Sequence, residues 1–307
     1  MNATTGAKPR IGFIGLGLMG HGIAKNLVTK GFPLTVRAHR NRKPLEDLLA
    51  AGAKEAATSA EVASASDIVF LCVTGAPQVE EIVNGKDGIG SVARKGLVVV
   101  DTSTSEPATT TKMRESLAGA GVLFVDAPLA RTPVEAELGK LNIMVGADEA
   151  TFATLKPVLQ AFCENIFHAG PAGHGLMIKL INNFVAQAIA TATAEACATA
   201  AKAGVSLAKL HSVISAGAVN SGIFQMMVGK MLENNGDLTG LKFTLVNAMK
   251  DLRYYTHFAE SLPVCGIVGE AVHQSLVNAN LLGFGDKYVP SLIEAQEKLA
   301  GVAIVPR

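Results

Sequence analysis

The sequence has little of what marks several large classes of protein. Its four cysteines, Cys72, Cys163, Cys197 and Cys265, lie far apart, with no Cys-x-x-Cys pair or other metal-ligand spacing. Each sits in an apolar run, the setting of a buried free thiol rather than of a disulfide framework. Net charge is only +1, which gives no bulk attraction for nucleic acid or an anionic membrane. The opening segment, Met1 to Arg10, has no apolar core of the kind a signal peptide needs. The stretch from Asn183 to Ala201 is weakly polar but rich in Ala and Thr, and it carries Glu195. It is expected to be a packed helix rather than a membrane span, with Glu195 buried and hydrogen-bonded. There is no internal repeat, low-complexity tract, Ser/His/Asp set or metal cluster. These absences point to a cytoplasmic protein with neither a nucleic-acid nor a membrane partner.

What is present is material for two cores. The chain has 307 residues, 49% of them hydrophobic, enough for two modest domains. Short β-branched runs at Ile11–Ile14, Leu34–Val36, Ile68–Val73, Leu97–Val100 and Val122–Val125 alternate with helical patterns at Gly20–Lys30, Pro44–Ala51, Pro77–Val83 and Pro107–Ala120. Runs without strict polar alternation suit strands buried on both faces, and the strand–helix order suits a doubly wound parallel sheet. Asn142–Val145 and Asn165–Phe167 are expected to extend its edge. The character changes at Ala169, where Gly170-Pro171-Ala172-Gly173-His174-Gly175 punctuates the chain. From Leu176 to Ala203 the spacing is helical without a breaker, giving a helix of roughly 40 Å. The expected fold is α/β: an N-terminal Rossmann domain, residues 1–169, joined by this long helix to an all-α domain, residues 170–307.

Gly15-Leu16-Gly17-Leu18-Met19-Gly20 follows the first strand directly and opens a helix. That context is what a dinucleotide loop requires, with backbone amides and a helix N-terminus facing a pyrophosphate. The end of the second strand then selects the cofactor. NAD enzymes usually place an acid there for the ribose hydroxyls. Here the segment is Val36-Arg37-Ala38-His39-Arg40-Asn41-Arg42-Lys43, with no acid and an excess of base. A 2′-phosphate is therefore expected to be welcome at His39 and Arg40, so NADP is preferred, with NAD a possible alternative.

With these motifs in place the chain resembles the β-hydroxyacid dehydrogenase family, which includes 3-hydroxyisobutyrate dehydrogenase and tartronate semialdehyde reductase. The resemblance runs nearly end to end. It rests on Ile11 to Gly20 with Asn26-Leu27, on Asp101-Thr102-Ser103-Thr104 with Pro107, and on Asp126-Ala127-Pro128 continued by Ala136-x-x-Gly139-x-Leu141. It rests further on Gly173-x-Gly175-x-x-x-Lys179-x-x-Asn182-Asn183 and on Lys250-Asp251-Leu252. The resemblance implies that Thr104 lies beside the nicotinamide and that Val73, Thr74 and Gln78 belong to a cofactor-contacting turn, where Val73-Thr74 departs from the Leu-Pro of many members. It also implies that Lys250 closes over the cofactor. It places Lys179 and Asn183 in catalysis, Asn182 at the substrate, and a homodimer or homotetramer built through the helical domains.

Lys179 and Asn183 are four apart, hence on one helix face, with Leu180, Ile181, Phe184 and Val185 expected to form the packing stripe. A partly desolvated lysine there is suited to give a proton to a carbonyl oxygen, or to take one from an alcohol. His174, Tyr254 and Tyr255 read as structural. The chain departs from the family where many members have Ser-Gly-Gly after Asp126-Ala127-Pro128-Leu129. Here the residues are Ala130-Arg131-Thr132, a pair resembling the sulfolactaldehyde reductase branch. Arginine presents a planar fork to an acid group, so Arg131 and Thr132 are expected to hold the substrate's acidic end. The expected activity is NADPH-linked reduction of a small acidic semialdehyde. The alternatives are NAD-linked oxidation of a hydroxyacid such as 3-hydroxyisobutyrate, a sulfonate substrate, and, remotely, a silent nucleotide-binding protein.

Overall fold

Five of the β-branched runs stand side by side as the centre of one sheet. The computed structural model describes residues 7–39 and 41–306, and the chain divides into two compact units, Met1–Lys179 and Leu180–Arg307. In the first unit the parallel strands are β1 (Ile11–Ile14), β2 (Leu34–Arg37), β4 (Ile68–Leu71), β5 (Val98–Asp101) and β6 (Leu123–Asp126), with the two-residue β3 (Lys54–Glu55) at the edge. Along the sheet the order is β3-β2-β1-β4-β5-β6, the doubly wound arrangement with its switch point between β1 and β4. Alternation along β4 divides the core: Ile68 and Phe70 join one cluster, Val69 and Leu71 the other. On the first face Phe13 stacks on Phe70 and Phe162 meets Phe70 edge-on.

Helices α1 (Leu18–Thr29), α2 (Lys43–Ala50), α3 (Ser59–Ser64), α4 (Ala76–Asn84) and α5 (Pro107–Ala118) connect these strands. After β6 the sheet changes direction. Strand β7 (Leu129–Ala130) and helix α6 (Pro133–Leu138) lead into β8 (Leu141–Gly146), which runs antiparallel to β6 and β7. Helix α7 (Glu149–Leu159) then leads to β9 (Cys163–Gly170), parallel to β8. The expected strand Ile68–Val73 stops at Leu71. Beyond it the Cys72 N–H still reaches the Ile14 carbonyl, and the Val73 N–H turns to Ser103 Oγ at 2.9 Å.

Helix α8 (His174–Lys202) is 29 residues long. The second unit is helical, with α9 (Leu207–Ala216), α10 (Gly222–Phe224), α11 (Lys230–Glu233), α12 (Leu245–Ser261), α13 (Ile267–Ala279) and α14 (Leu292–Ala300). Its core gathers Ala194, Cys197, Met227, Leu245, Leu252 and Leu276.

Several expectations fail on burial. Glu195 is exposed, because the buried residues Ala194, Cys197 and Ala198 define the opposite side of the helix. Ile181 and Val185 are 47% and 48% exposed within the chain, so the buried stripe there is Leu180 and Asn183, with Phe184 stacked on Tyr255. Cys265 is exposed. Its apolar run is cut by Pro263 and Gly266 and forms a turn between helices. Of the remaining thiols, burial pushes Cys72 and Cys197 up to about 11 and Cys163 higher still, which leaves them unreactive.

Candidate active site

Strand register sets the site in the first unit. Ile14 lies opposite both Arg37 and Leu71, Leu71 opposite Asp101, and Asp101 opposite Asp126. The segments that follow these residues therefore leave the sheet from one edge, the carboxyl edge where open α/β sheets bind ligands.

The glycine loop follows the first of these ends. Gly15 has φ +105°, and a Cβ there would fall 2.2 Å from the Cys72 carbonyl oxygen. A Cβ on Gly20 would lie 1.9 Å from the Gly15 carbonyl oxygen, whereas one on Gly17 would meet nothing within 4 Å. Leu16 is buried, Met19 packs against the core and Leu18 is exposed. Helix α1 starts with no side-chain cap and no acid in its first turn, so its leading N–H groups and positive dipole end remain suited to an anion. These residues fit a dinucleotide pyrophosphate.

At the end of β2, His39 is exposed and Arg40 lies outside the described residues. Two of the basic neighbours are engaged within the fold. Arg37 donates to the Ala57 carbonyl at 3.2 Å and to Ser59 Oγ at 2.9 Å. Arg42 grips Glu55 with both Nη atoms at 3.0 and 3.1 Å and holds that carboxyl below its usual value. On the other side of β1, the Thr102 hydroxyl donates to the Leu71 carbonyl at 2.6 Å, and the Ser103 N–H donates to Asp101 Oδ1 at 2.9 Å. These bonds lace the Val73-Thr74 turn to the stretch ending at Thr104. Thr74 and Gln78 are exposed, Thr104 half-buried.

The third group follows β6. Arg131 occupies a left-handed backbone position, φ 80°. Its Nη1 donates to the Lys140 carbonyl at 2.6 Å and pairs with Glu164, not with Glu135 four residues on. Thr132 caps α6 in a reciprocal box with Glu135. Asp126 has a role the sequence did not disclose. Its buried carboxylate accepts the Gly173 N–H at 2.6 Å and the Leu176 N–H at 2.9 Å, pinning the first turn of α8 to the end of β6. Burial pushes the Asp126 carboxyl up, against the lowering effect of those two N–H groups.

Lys179 is half-buried on α8, Asn182 exposed, and His174 exposed in the first turn. In the second unit Asn183 is 7% exposed and its Nδ2 donates to Asp251 Oδ2 at 2.7 Å. The other oxygen of Asp251 takes the Lys250 ammonium at 2.6 Å, and that ammonium lies 4.6 Å from the centre of the Tyr254 ring. Asn182 Nδ2 reaches Asn183 Oδ1 at 3.3 Å. Two of the expected residues, Asn183 and Lys250, with Asn182 joined to them through Asn183, thus meet at an acid, Asp251, that was noted only as part of a motif. Its place in Lys250-Asp251-Leu252, four residues before Tyr255 and on the same helix as Lys250, was the one available signal.

Comparison with known proteins places the whole chain among nicotinamide-dependent dehydrogenases. Residues 10–170 match the family model of the NAD-binding domain of 6-phosphogluconate dehydrogenase, and residues 173–294 match that of NADP-dependent 3-hydroxyisobutyrate dehydrogenase. The chain is 32% identical over 296 residues to 2-(hydroxymethyl)glutarate dehydrogenase of Eubacterium barkeri, covering 96% of this chain and 97% of that one. It is 32% identical over 293 residues to 2-hydroxy-3-oxopropionate reductase of Escherichia coli, covering 95% and 98%. A crystal structure of 3-hydroxyisobutyrate dehydrogenase from Salmonella typhimurium superimposes with a TM-score of 0.81 at 27% identity, over 94% of this chain and 99% of that one.

Proposed function

Because this chain belongs to the β-hydroxyacid dehydrogenase family and is an NAD(P)-dependent oxidoreductase, we propose that it reduces a small acidic semialdehyde with NADPH. The observation that carries the reading is the placement of Lys179 four residues before Asn183 on a helix whose first turn Asp126 pins. Relatives named for hydroxymethylglutarate, hydroxy-oxopropionate and succinic semialdehyde all act on small carboxylic acids, which supports an acidic substrate.

A nicotinamide cofactor held by the glycine loop would supply hydride to the carbonyl carbon. Lys179 Nζ gives its proton to the carbonyl oxygen in the same step, and in the reverse direction it takes the alcohol proton. Asn183, held through Nδ2 by Asp251, keeps one orientation beside that lysine, and Asn182 contacts the substrate. Arg131 and Thr132 hold the acid group. Only Nη1 of Arg131 has partners among the described residues, and the Nε–Nη2 edge is the side suited to a bidentate anion. A sulfonate would fit the same fork. His39 and Arg40 take the 2′-phosphate, and Val73, Thr74, Gln78, Thr104 and Lys250 line the rest of the cofactor.

We place the protein in the cytoplasm as a homodimer or homotetramer. Helix α8 is long and apolar enough to cross a membrane by length and composition, but its buried side includes Asn183, Gln187 and Thr193, which suits packing in a water-soluble enzyme. The helical unit also exposes Val213, Val219, Ile267 and Leu281 by 72–82%, apolar area of the kind a second copy covers.

The test is a panel of small acidic aldehydes and β-hydroxyacids with both cofactors, run on wild type and Lys179→Ala. Loss of general acid–base help should cut kcat about a hundred- to ten-thousand-fold while dinucleotide affinity is kept. A folded variant with near wild-type kcat removes Lys179 from the reaction. Failure of every substrate with both cofactors removes the assignment.

A further inference from the structure

The loop that carries Arg131 and Thr132 does not stand alone. It is fastened to α1, the helix of the glycine loop, through one face of that helix. Gly22 and Asn26 are one turn apart there, and His21 and Lys25 form the neighbouring row. At Gly22 the backbones touch so closely that a Cβ would lie 2.6 Å from the Ala136 carbonyl carbon and from the Glu137 nitrogen. Asn26 Nδ2 donates to the Gly22 carbonyl at 2.8 Å, within its own helix, and to the Ala136 and Glu137 carbonyls of α6 at 3.0 and 3.2 Å. His21 Nδ1 lies 2.6 Å from Glu137 Oε1, and Lys25 Nζ 3.0 Å from Glu137 Oε2. Burial works to raise the Glu137 carboxyl, but these two partners outweigh it and hold the carboxyl low.

Helix α6 has only six residues. A helix so short has little stability of its own, and the carbonyls of its last turn have no partner within it. Thr132 and Glu135 satisfy its N-terminus from inside the loop. At its C-terminus the Gly139 and Lys140 N–H groups turn back to the Ala136 and Glu135 carbonyls at 3.3 and 2.8 Å, and Asn26 adds a donor from outside the loop to the Ala136 and Glu137 carbonyls. Gly139, which ends the helix at φ +68°, would place a Cβ 2.8 Å from Asn26 Oδ1, so the amide also packs closely against the exit of the loop.

We propose that Asn26 is a positioning residue for substrate selection: by capping α6 from α1 it sets where the 131–140 loop presents its acid-binding groups. The inference rests on the reading that this loop holds the substrate's acid group. It makes the loop a rider on the cofactor helix, so that the acid site keeps a fixed place relative to the glycine loop without touching the dinucleotide.

The experiment compares wild type with Asn26→Asp and Asn26→Ala, using the best acidic substrate of the panel. Asn26→Asp keeps the volume but has no donor for the two carbonyls. KM for the acid substrate should rise tenfold or more in both variants. The kcat and the Kd for NADPH should stay within about threefold, and amide exchange in residues 131–140 should quicken while α1 stays protected. A wild-type KM in Asn26→Asp overturns the proposal, as does an equal loss of NADPH affinity, which would mark general damage to α1. If both variants fail to fold, Glu137→Gln, which weakens the same joint from the half-exposed side, must show the KM rise and faster loop exchange in smaller measure, and its absence overturns the proposal. Arg131→Ala run alongside separates the two readings. An unchanged KM there with a raised KM in Asn26→Asp removes Arg131 as the acid holder and leaves the positioning of the loop by Asn26 supported.

Discussion

Asp251 and Asn183, 68 positions apart in sequence, meet through a 2.7 Å hydrogen bond inside the helical unit. The same carboxylate binds Lys250, so one buried acid orients an amide on α8 and an ammonium on α12. A neutral amide of the same shape could accept from only one of them, because both partners donate and an amide has a single acceptor oxygen.

Asp251→Asn should therefore separate the two. Hydrogen bonds to a charged group are worth about 1.5–3 kcal/mol, and 1.4 kcal/mol is about tenfold in rate. A fall in kcat/KM of about ten- to a hundred-fold is expected, with a lower thermal midpoint. Steady-state kinetics with wild-type values for both kcat and KM would leave the acid a purely structural part of the unit.

The basic loop after β2 is the proposed determinant of cofactor choice. NADPH should give the higher kcat/KM, and Arg40→Ala should harm NADPH use more than NADH use, by about 1.5–3 kcal/mol for one charge-assisted contact. Arg42→Ala serves as the contrast, since Arg42 is paired with Glu55. Equal efficiency with both cofactors in the wild type contradicts the preference.

Much of this was legible in the order of residues, for identifiable reasons. Strands β1, β4 and β5 are short β-branched runs buried on both sides, and hydrophobicity alone marks such runs. The glycine loop and Lys179 with Asn183 carry their meaning in spacing. By contrast, β3, β7, α3 and α6 span two to six residues, too few for a period to show. Asp126 and Asp251 act on partners 47 to 68 positions away, and no local pattern encodes that distance. The misplacement of Glu195 and Cys265 came from reading apolar surroundings as burial, when helix face and a Pro263 turn decided exposure.

His273 gives the helical unit a pH dependence. It is 4% exposed, and its Nδ1 lies 3.1 Å from Arg253 Nη2, so it accepts that bond in the neutral form. Burial first, then the charge of Arg253 and His257, lowers its pKa from 6.5, with Glu270 opposing. The folded-state value lies below the unfolded one, so the stabilisation is complete above about 6.5 and is lost as pH falls through the folded value. Thermal midpoints should drop as pH is taken below 6.5, and His273→Gln, which can still accept from Arg253, should flatten that drop. An unaltered slope in the variant assigns the acid sensitivity elsewhere.

Arg131, proposed to hold the substrate's acid group, carries backbone strain. Its φ of 80° is a conformation that costs a side chain of this kind about 1–3 kcal/mol, and glycine would adopt it freely. The bonds it makes in return are a carbonyl contact and a pair with the half-exposed Glu164, and an ion pair of that type is worth about 0–1 kcal/mol. The backbone cost is of the same order as what the carbonyl bond, about 1.5–3 kcal/mol for a charged donor, and the ion pair return. These contacts therefore leave the fold little net stability, which is compatible with a role for the guanidinium in binding. Arg131→Gly should leave the protein about as stable as wild type, because relief of the strain offsets the lost carbonyl bond and ion pair. The same variant should raise KM for an acidic substrate tenfold or more and leave the Kd for NADPH unchanged. Calorimetry and kinetics on one preparation decide the matter. A variant that is clearly less stable with an unchanged KM would make Arg131 a structural tie between β7, Lys140 and β9, and the acid group of the substrate would then have to be held by Thr132 and the loop backbone.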